Sequence, residues 1–228
     1  MPRYGTIDFD YAAQLAGCPP DEDGPVLMVN YMKYRERADY RDGVDHGRSG
    51  READDEYAPV EVLAAIGAIV AFVGDVVDGG AGTSSGWDRI GIVQYPTRRS
   101  FIEMQSRRDF KEKHTHKEAG MDRTIVFAVP PAAVLSASLP GRAGHVVFDL
   151  VHRADGTTDP AAAQAIGRVE GTILGDGRSW TELRITWIDE PAAADNLTGD
   201  GVDDRELVIV RPTIDRLASL LGARRQGE

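Results

Sequence analysis

The residues of this sequence best suited to chemistry lie in a predicted helix over residues 110–120. His114 follows Phe110 by one turn of that helix and shares its face. Imidazole titrates near neutral pH, so His114 on a buried face can act as a general base or as an axial ligand. His116 points well away from His114 and is predicted as a ligand contact only. The alternative for His114 is a partly exposed histidine among the lysines of the helix.

Asn30 is the second catalytic candidate, because it interrupts an apolar strand predicted over Val26–Met32. A buried amide needs hydrogen-bond partners, so Asn30 either supports the backbone or faces a ligand in a cavity. Strand alternation places Asn30 on one face with Met28, and Tyr31 on the other face. We therefore predict catalytic roles for Asn30 and His114.

Four aromatic side chains are predicted as substrate-binding walls. Trp87 and Tyr95 flank a predicted strand, whereas Tyr31 and Phe110 adjoin the two catalytic candidates. The alternative for each is a place in the hydrophobic core, where large aromatic side chains commonly pack. The sequence contains no residue set with metal-ligand spacing and no glycine-rich phosphate loop after a strand. No metal is therefore predicted.

The charge balance limits the classes of partner. The chain has 26 Lys and Arg against 37 Asp and Glu, a net charge of −11, which argues against nucleic acid or an anionic membrane as the main partner. Residues 89–123 run against this total, with nine Lys and Arg and five Asp and Glu. We therefore expect one site per chain, in the first half, for a small ligand that can be anionic.

Other features of the sequence suggest where the protein works. Its longest apolar run is too short to span a bilayer, and its start lacks the apolar core of a signal peptide. A single cysteine, Cys18, cannot form an intrachain disulfide. A cytoplasmic protein, either a monomer or a homodimer, is the expectation.

Alternating strand and helix patterns define the elements that position the candidates. The predicted order is a strand at 26–32, a loop at 34–54, a helix at 54–66, strands at 68–77 and 87–95, helices at 97–106 and 110–120, and a strand at 124–129. In the last helical region, Asp109 is the expected N-cap after a break. The order β-α-β-β-α-β is that of a ferredoxin-like unit.

The second half of the chain echoes the first. Asp88-Arg89 and Pro96-Thr97 recur as Asp204-Arg205 and Pro212-Thr213, at a constant offset of 116 residues. A helix is predicted over 159–173, a strand over 180–188, and no fourth strand. The predicted fold class is α+β, with tandem ferredoxin-like repeats packed as a pseudo-dimeric α+β barrel. The boundaries are 1–24 for an N-terminal extension, 25–131 for repeat 1 and 144–228 for a shortened repeat 2.

Several local features over residues 20–130 resemble the family called domain of unknown function 1330, of the dimeric α+β barrel superfamily. They are Gly24-Pro25-Val26, Val29-Asn30, Tyr34–Tyr40, Gly50-Arg51, Tyr57, Trp87-Asp88, Tyr95-Pro96-Thr97, Phe101, Met104, Phe110, His116-Lys117 and Ala119-Gly120-Met121. The sequence departs from that family at Thr97, where Ser is common, and at Lys117, where Arg is common. The resemblance implies a barrel that holds small, often aromatic ligands.

A second resemblance is to the haem-degrading and antibiotic-biosynthesis monooxygenases of the same superfamily. Tyr95, Phe101, Phe110 and His114 stand at the spacings of that family, and Asn30 matches an Asn on its first strand. The resemblance implies that His114 would bind haem iron, with Asn30 near the distal side. The sequence departs at Tyr95, where that family has Trp.

Together these features predict an enzyme acting on a small hydrophobic or aromatic molecule, of oxygenase or isomerase/cyclase type. Activity without a cofactor is the first expectation and haem the second. The alternative is a non-catalytic ligand-binding or scaffold protein. The two hypotheses differ in whether His114 and Asn30 line a common cavity or His114 faces solvent.

Overall fold

The computed structural model describes residues 2–77, 86–131, 134–136, 143–158, 163–197 and 202–223. The first half contains β1 (Thr6–Ile7), α1 (Phe9–Gly17), β2 (Val26–Tyr34), α2 (Gly50–Tyr57), α3 (Val60–Ala65), β3 (Ile69–Val77), β4 (Arg89–Tyr95), α4 (Arg98–Ser106), α5 (Arg108–Gly120) and β5 (Met121–Val129). The second half contains β6 (Val134–Ser136), β7 (His145–His152), β8 (Ala165–Arg168), β9 (Gly171–Gly175), β10 (Glu182–Ile188), a 3₁₀ helix (Pro191–Asn196), β11 (Asp204–Asp215) and α6 (Leu217–Ala223).

The four long strands of the first half form an antiparallel sheet in the order β5-β2-β4-β3. This is the strand order of a ferredoxin-like α+β unit, and the element order predicted for residues 25–131 is present. At the centre of the sheet, Asn30 on β2 lies opposite Gly91 on β4 and Val126 on β5. β2 and β5 are buried at most positions because other layers cover both of their faces.

The sheet continues into the second half and closes on itself. β3 pairs with β11, and the order then runs through β7 and β10 to β8. Only residues 169 and 170 separate β8 from β9, and β9 pairs with β5 at the other end of the order. The segment 165–175 therefore joins the two ends of the sheet into a barrel, which leaves the long strands without free edges.

Strand alternation separates the two faces of this barrel. Val29 and Tyr31 of β2 point inward, into a core that includes Phe127, Phe148 and Trp187 from both halves. Side chains fill this interior, as expected for a small barrel. The outward face of the first-half sheet carries Met28 and is covered by the helices of the first half. Each half of the chain thus contributes to one common core.

Two predicted helix boundaries differ from the structure. The helix predicted over 54–66 begins earlier, at Gly50, and is divided at Ala58-Pro59 into α2 and α3. Proline lacks the N–H that a continuous helix would need at that point, so Pro59 precedes α3. The break between α4 and α5 falls at Arg107, which has extended backbone (φ −64°, ψ 141°), rather than at Asp109.

The helix predicted over 159–173 is wrong. Residues 159–162 lie outside the described residues, and the rest of that range contains β8 and most of β9. Closing the barrel requires backbone hydrogen bonds along this segment, and this tertiary demand outweighs its helical pattern.

The predicted strand correspondence of the second half also differs. β11 pairs with β7 as β5 pairs with β2, so β11 takes a fourth-strand position that the sequence was expected to lack. The offset of 116 residues instead equates β11 with β4. Between β10 and β11, where a full helix would stand, the structure has the 3₁₀ helix.

A membrane-crossing helix is not found: among the described residues, every helix is too short or too polar to cross a bilayer.

Candidate functional site

A cavity of about 900 Å³ lies between the outward face of the first-half sheet and the helices that cover it. Most of its lining is apolar and aromatic, including Met28, Val93, Phe101 and Met104. Polar side chains reach it from α5, from β2 and from the N-terminal segment. Concave, largely apolar sites with a few polar groups are typical of small-molecule binding.

His114 lines this cavity in a tightly packed position. Its ring stacks on Phe110, with centroids 5.2 Å apart, and meets the edge of Tyr57 at 5.9 Å. Nε2 is 3.0 Å from the Tyr4 hydroxyl, and Nδ1 is buried without a hydrogen-bond partner among the described residues. Burial, assisted by the nearby Lys117 charge, lowers the pKa of His114 to about 4. His114 is therefore neutral at pH 7.

Lys117, one turn further along α5, is the polar group that the sequence interpretation missed. Its ammonium nitrogen is 3.4 Å from the Asn30 Oδ1 and 5.2 Å from the centre of the Tyr57 ring. Desolvation lowers the pKa of Lys117 from its usual value, and the Asp54 carboxylate opposes that shift. The helical spacing of Lys117 from His114 was the available signal. Lysine, however, is usually exposed, so its face looked solvated.

Asn30 presents its amide to the cavity. All of its contacts are long: Oδ1 is 3.4 Å from the Lys117 Nζ, and Nδ2 is 3.4 Å from the Met28 carbonyl oxygen and 3.5 Å from the Gly91 carbonyl oxygen. Such contacts are near the upper limit of hydrogen-bond length. Gly91, which also lines the cavity, adds no side chain opposite Asn30. The Nδ2 donor is therefore available to an oxygen atom of a ligand.

The other cations of the cavity are neutralised by carboxylates. Arg89 lies 2.7 Å from Asp55, 3.0 Å from Asp75 and 3.6 Å from Asp54. Arg41 pairs with Glu118. Lys117 is the cation of this lining that has no carboxylate within 4.0 Å in the parts of the chain that the structure describes. Of the basic residues in 89–123, Arg89 and Lys117 line the cavity, and Lys117 is the one without a carboxylate within 4.0 Å among the described residues.

A close crossing of α2 and α5 holds Tyr57 against His114 and Lys117. A Cβ atom on Gly120 would lie 2.3 Å from the Gly50 carbonyl oxygen, and one on Gly50 would lie 2.4 Å from the Gly120 oxygen. The backbones can approach this closely only because both residues are glycine.

Replacing Gly120 by alanine should therefore lower the free energy of unfolding by about 2 kcal/mol or more, because a backbone has to move. Gly17→Ala is the matched control, since nothing lies within 4 Å of a Cβ atom there, and it should change stability little. Urea denaturation of both variants measures the difference. Equal effects would show that the helices are not held at this distance.

The remaining predicted site residues divide into two groups. Tyr95 and Phe110 line the cavity together with Asn30 and His114. Tyr31 and Trp87 do not: they pack against each other in the barrel interior, with ring centroids 5.7 Å apart. Alternation along β2 separates Tyr31 from Asn30 by a whole layer, so those two predicted contacts are corrected.

His116 is also absent from the cavity lining. Its Nδ1 is 2.9 Å from the hydroxyl of Tyr40, which belongs to the loop between β2 and α2. The same loop is tied to α5 by the Arg41–Glu118 ion pair. His116 therefore helps to hold the loop rather than to contact a ligand in the cavity.

A haem ligated by His114, which the sequence resemblance implies, does not fit the residues present. An axial ligand must offer a free ring nitrogen to the iron. His114 Nε2 is engaged by the Tyr4 hydroxyl, and Nδ1 is sealed from solvent by packing. In addition, Arg41 and Arg89, which could hold carboxylate groups of a porphyrin, are already paired. We therefore derive no chemistry through haem.

Buried neutral His114 should make stability depend on pH. Its pKa is about 4 in the folded chain and about 6.5 in the unfolded chain. Below pH 6.5 the unfolded state binds the proton first, so the free energy of unfolding falls as the pH drops to 4, by about 3 kcal/mol from this residue.

Urea denaturation at pH 7 and pH 4 of the wild type and of His114→Gln tests this expectation. The variant should lose that part of the pH dependence, whereas His46→Gln, at an exposed loop position, should retain it. An unchanged pH dependence in His114→Gln would contradict the assigned burial.

Comparisons with known proteins bear on the fold. No protein-family profile matches the chain, and no curated protein matches it either. The crystal structure of an anthrone oxidase-like protein is similar over 85% of this chain and 93% of its own, with 11% identity and a TM-score of 0.51. At that identity the likeness shows the fold alone, a ferredoxin-like α+β fold.

Two further structures have slightly lower TM-scores. Methylated RPA0582, a protein of Rhodopseudomonas palustris, is 25% identical over 62% of this chain and all of its own, with a TM-score of 0.49. A chlorite dismutase variant from Candidatus Nitrospira defluvii is 10% identical over 93% of this chain and 98% of its own, also at 0.49. Neither carries an argument about function, which must come from the site.

Proposed function

We propose that the cavity is the active site of an enzyme that transfers a proton on a small aromatic or hydrophobic molecule, as an isomerase or cyclase does. One observation carries the proposal: Lys117 brings an amine that has no carboxylate within 4.0 Å among the described residues into a largely apolar cavity, 3.4 Å from Asn30. Groups poised for proton transfer have pKa values shifted toward neutrality, and desolvation shifts that of Lys117 in this direction.

The site residues take distinct roles in this reaction. Asn30 Nδ2 donates a hydrogen bond to a carbonyl or phenol oxygen of the ligand and polarises it. Lys117 exchanges the proton, and its ammonium form balances the negative charge of an anionic ligand. His114 is a weak base because burial lowers its pKa to about 4, so it acts as the neutral partner of Tyr4. Phe110 and Tyr95 form part of the apolar wall of the cavity, against which the ligand packs.

Deuterium exchange tests this proposal. A thermal-shift screen with small aromatic acids, phenols and ketones first identifies ligands. NMR in D₂O then measures how fast deuterium replaces hydrogen on the carbon atom adjacent to the ligand's C=O or C–OH carbon. The wild type should accelerate exchange, by a factor of about 10² or more. Binding without any acceleration would contradict the enzyme and favour the alternative, a non-catalytic binding protein.

An oxygenase is the second candidate, favoured by the largely apolar and aromatic lining of the cavity. The anthrone oxidase-like protein, named for an oxidation, shares the fold. Oxygen consumption during incubation with the ligands that bind distinguishes the two reactions, because proton transfer consumes none.

We also propose that the two halves of the chain are copies of one unit and that the barrel is pseudo-dimeric. The strand orders β5-β2-β4-β3 and β11-β7-β10-β8 support this, since each places the unit's first strand between its fourth and third. The cavity is built on the first half, where helices cover the sheet, which favours one site per chain.

A further inference from the structure

The amine of Lys117 differs from the other cations of the cavity in what it can do to a ligand. Guanidinium groups stay protonated and are not nucleophiles under physiological conditions, and Arg41 and Arg89 are held by carboxylates. A lysine in an apolar pocket loses part of its preference for the charged form, and its neutral form carries a free electron pair. Lys117 lines the cavity, so this electron pair can reach a bound molecule.

The contacts of Lys117 suit an amine nucleophile. Nζ lies 3.4 Å from the Asn30 Oδ1, a weak contact that leaves the nitrogen able to approach a ligand. The charged and titratable groups around it include Asp54, whose carboxylate favours the ammonium form, and His114, which is neutral. They also include Tyr57, whose ring centre lies 5.2 Å from Nζ and whose pKa is raised by burial. Asp54 is itself occupied, because it accepts a 2.6 Å hydrogen bond from Tyr34 and lies 3.6 Å from Arg89.

We propose that Lys117 forms an imine with an aldehyde or ketone group of the ligand. The Nζ electron pair makes the new C–N bond at the carbonyl carbon, the carbonyl oxygen takes both amine hydrogens and leaves as water, and a C=N bond remains. No oxidant or reductant is needed. A proton from solvent converts the imine into an iminium, which withdraws electrons from the neighbouring carbon. That carbon gives a proton to solvent and leaves an enamine, which takes a proton back from solvent at the same carbon. One water then hydrolyses the iminium to the amine, the carbonyl compound and the proton first taken up.

This inference rests on the proposed function and deepens it, because it names the ligand as a carbonyl compound. It assigns Lys117 a covalent role, whereas the proposed function requires only proton exchange. The roles of Asn30 and of the aromatic lining remain the same in both.

Reductive trapping tests the inference on the wild-type protein. Benzaldehyde and sodium cyanoborohydride convert an imine into a stable benzylamine, and peptide mass spectrometry locates it. The chain has only four lysines, Lys33, Lys111, Lys113 and Lys117. At pH 7, Lys117 should be the most heavily labelled lysine, since desolvation lowers its pKa and leaves more of it as the neutral amine that forms an imine.

Two comparisons make each outcome decisive. Toluene, an aromatic competitor for the cavity that has no carbonyl group, should reduce labelling at Lys117 and spare Lys111. Lys117→Arg should abolish the dominant label while keeping the charge. Labelling that follows solvent exposure, with Lys117 unmodified, would overturn the inference. If ketones still bind and exchange protons in that case, the proposed function stands; if no aromatic molecule binds, the proposed function fails as well.

Discussion

Arg89→Met should lower the free energy of unfolding by about 3 kcal/mol, the lower end of the usual cost of breaking a buried ion pair, because only Asp54 of its partners is buried. Arg89 is 13% exposed and lies within 4.0 Å of three carboxylates. Asp54, the most buried of them at 8% exposure, would keep only the Tyr34 hydroxyl as a partner among the contacts described. The remaining negative charges would repel one another beneath the cavity wall.

Arg51→Met is the matched control for this prediction. Arg51 contacts Asp75, one of the same carboxylates, at 2.7 Å but is 39% exposed. An exposed ion pair contributes about 0–1 kcal/mol, so this variant should lose little stability. Urea denaturation at pH 7 compares the two. Similar small losses in both variants would show that the network beneath the cavity is not buried as described.

Lys117→Met should abolish catalysis while leaving the fold intact. Removing a group that exchanges a proton in the reaction lowers the rate by about 10²–10⁴. The free energy of unfolding should stay the same or rise, because a desolvated amine without an ion-pair partner opposes folding and methionine fills the same space. Loss of activity together with retained stability separates a catalytic role from a structural one.

The control for this variant is Lys111→Met, on the same helix but exposed. It should keep full activity in the deuterium-exchange assay. Two results would contradict the assigned role: Lys117→Met retaining wild-type exchange, or both variants losing it equally.

Periodicity was enough to predict part of the site. Asn30 and Tyr95 were expected at strand positions, and Phe110 and His114 at one helix face; all four line the cavity. These predictions needed only the alternation of a strand and the 3.6-residue repeat of a helix. The ferredoxin-like sheet of the first half follows from the same patterns.

The failures have a common physical origin in tertiary structure. Tyr57 reaches the cavity because α2 starts at Gly50 and crosses α5 closely, which local patterns do not reveal. The segment 165–175 forms strands because it closes the barrel across distant parts of the chain. Trp87 and Tyr31 pack in the barrel interior, where residues of the second half complete the core. The pattern of the first half alone does not show that this second layer exists.

The protonation of the Lys117 amine, followed with and without ligand, is the most direct test of its proposed role in the cavity. In protein labelled with ¹³C-lysine, each of the four lysines gives one set of side-chain NMR signals, which variants assign. The Lys117 signal should titrate at lower pH than the other three and should shift when a small aromatic ketone or phenol binds. Four lysines that titrate together, with no Lys117 shift on adding ligands that bind, would contradict that role.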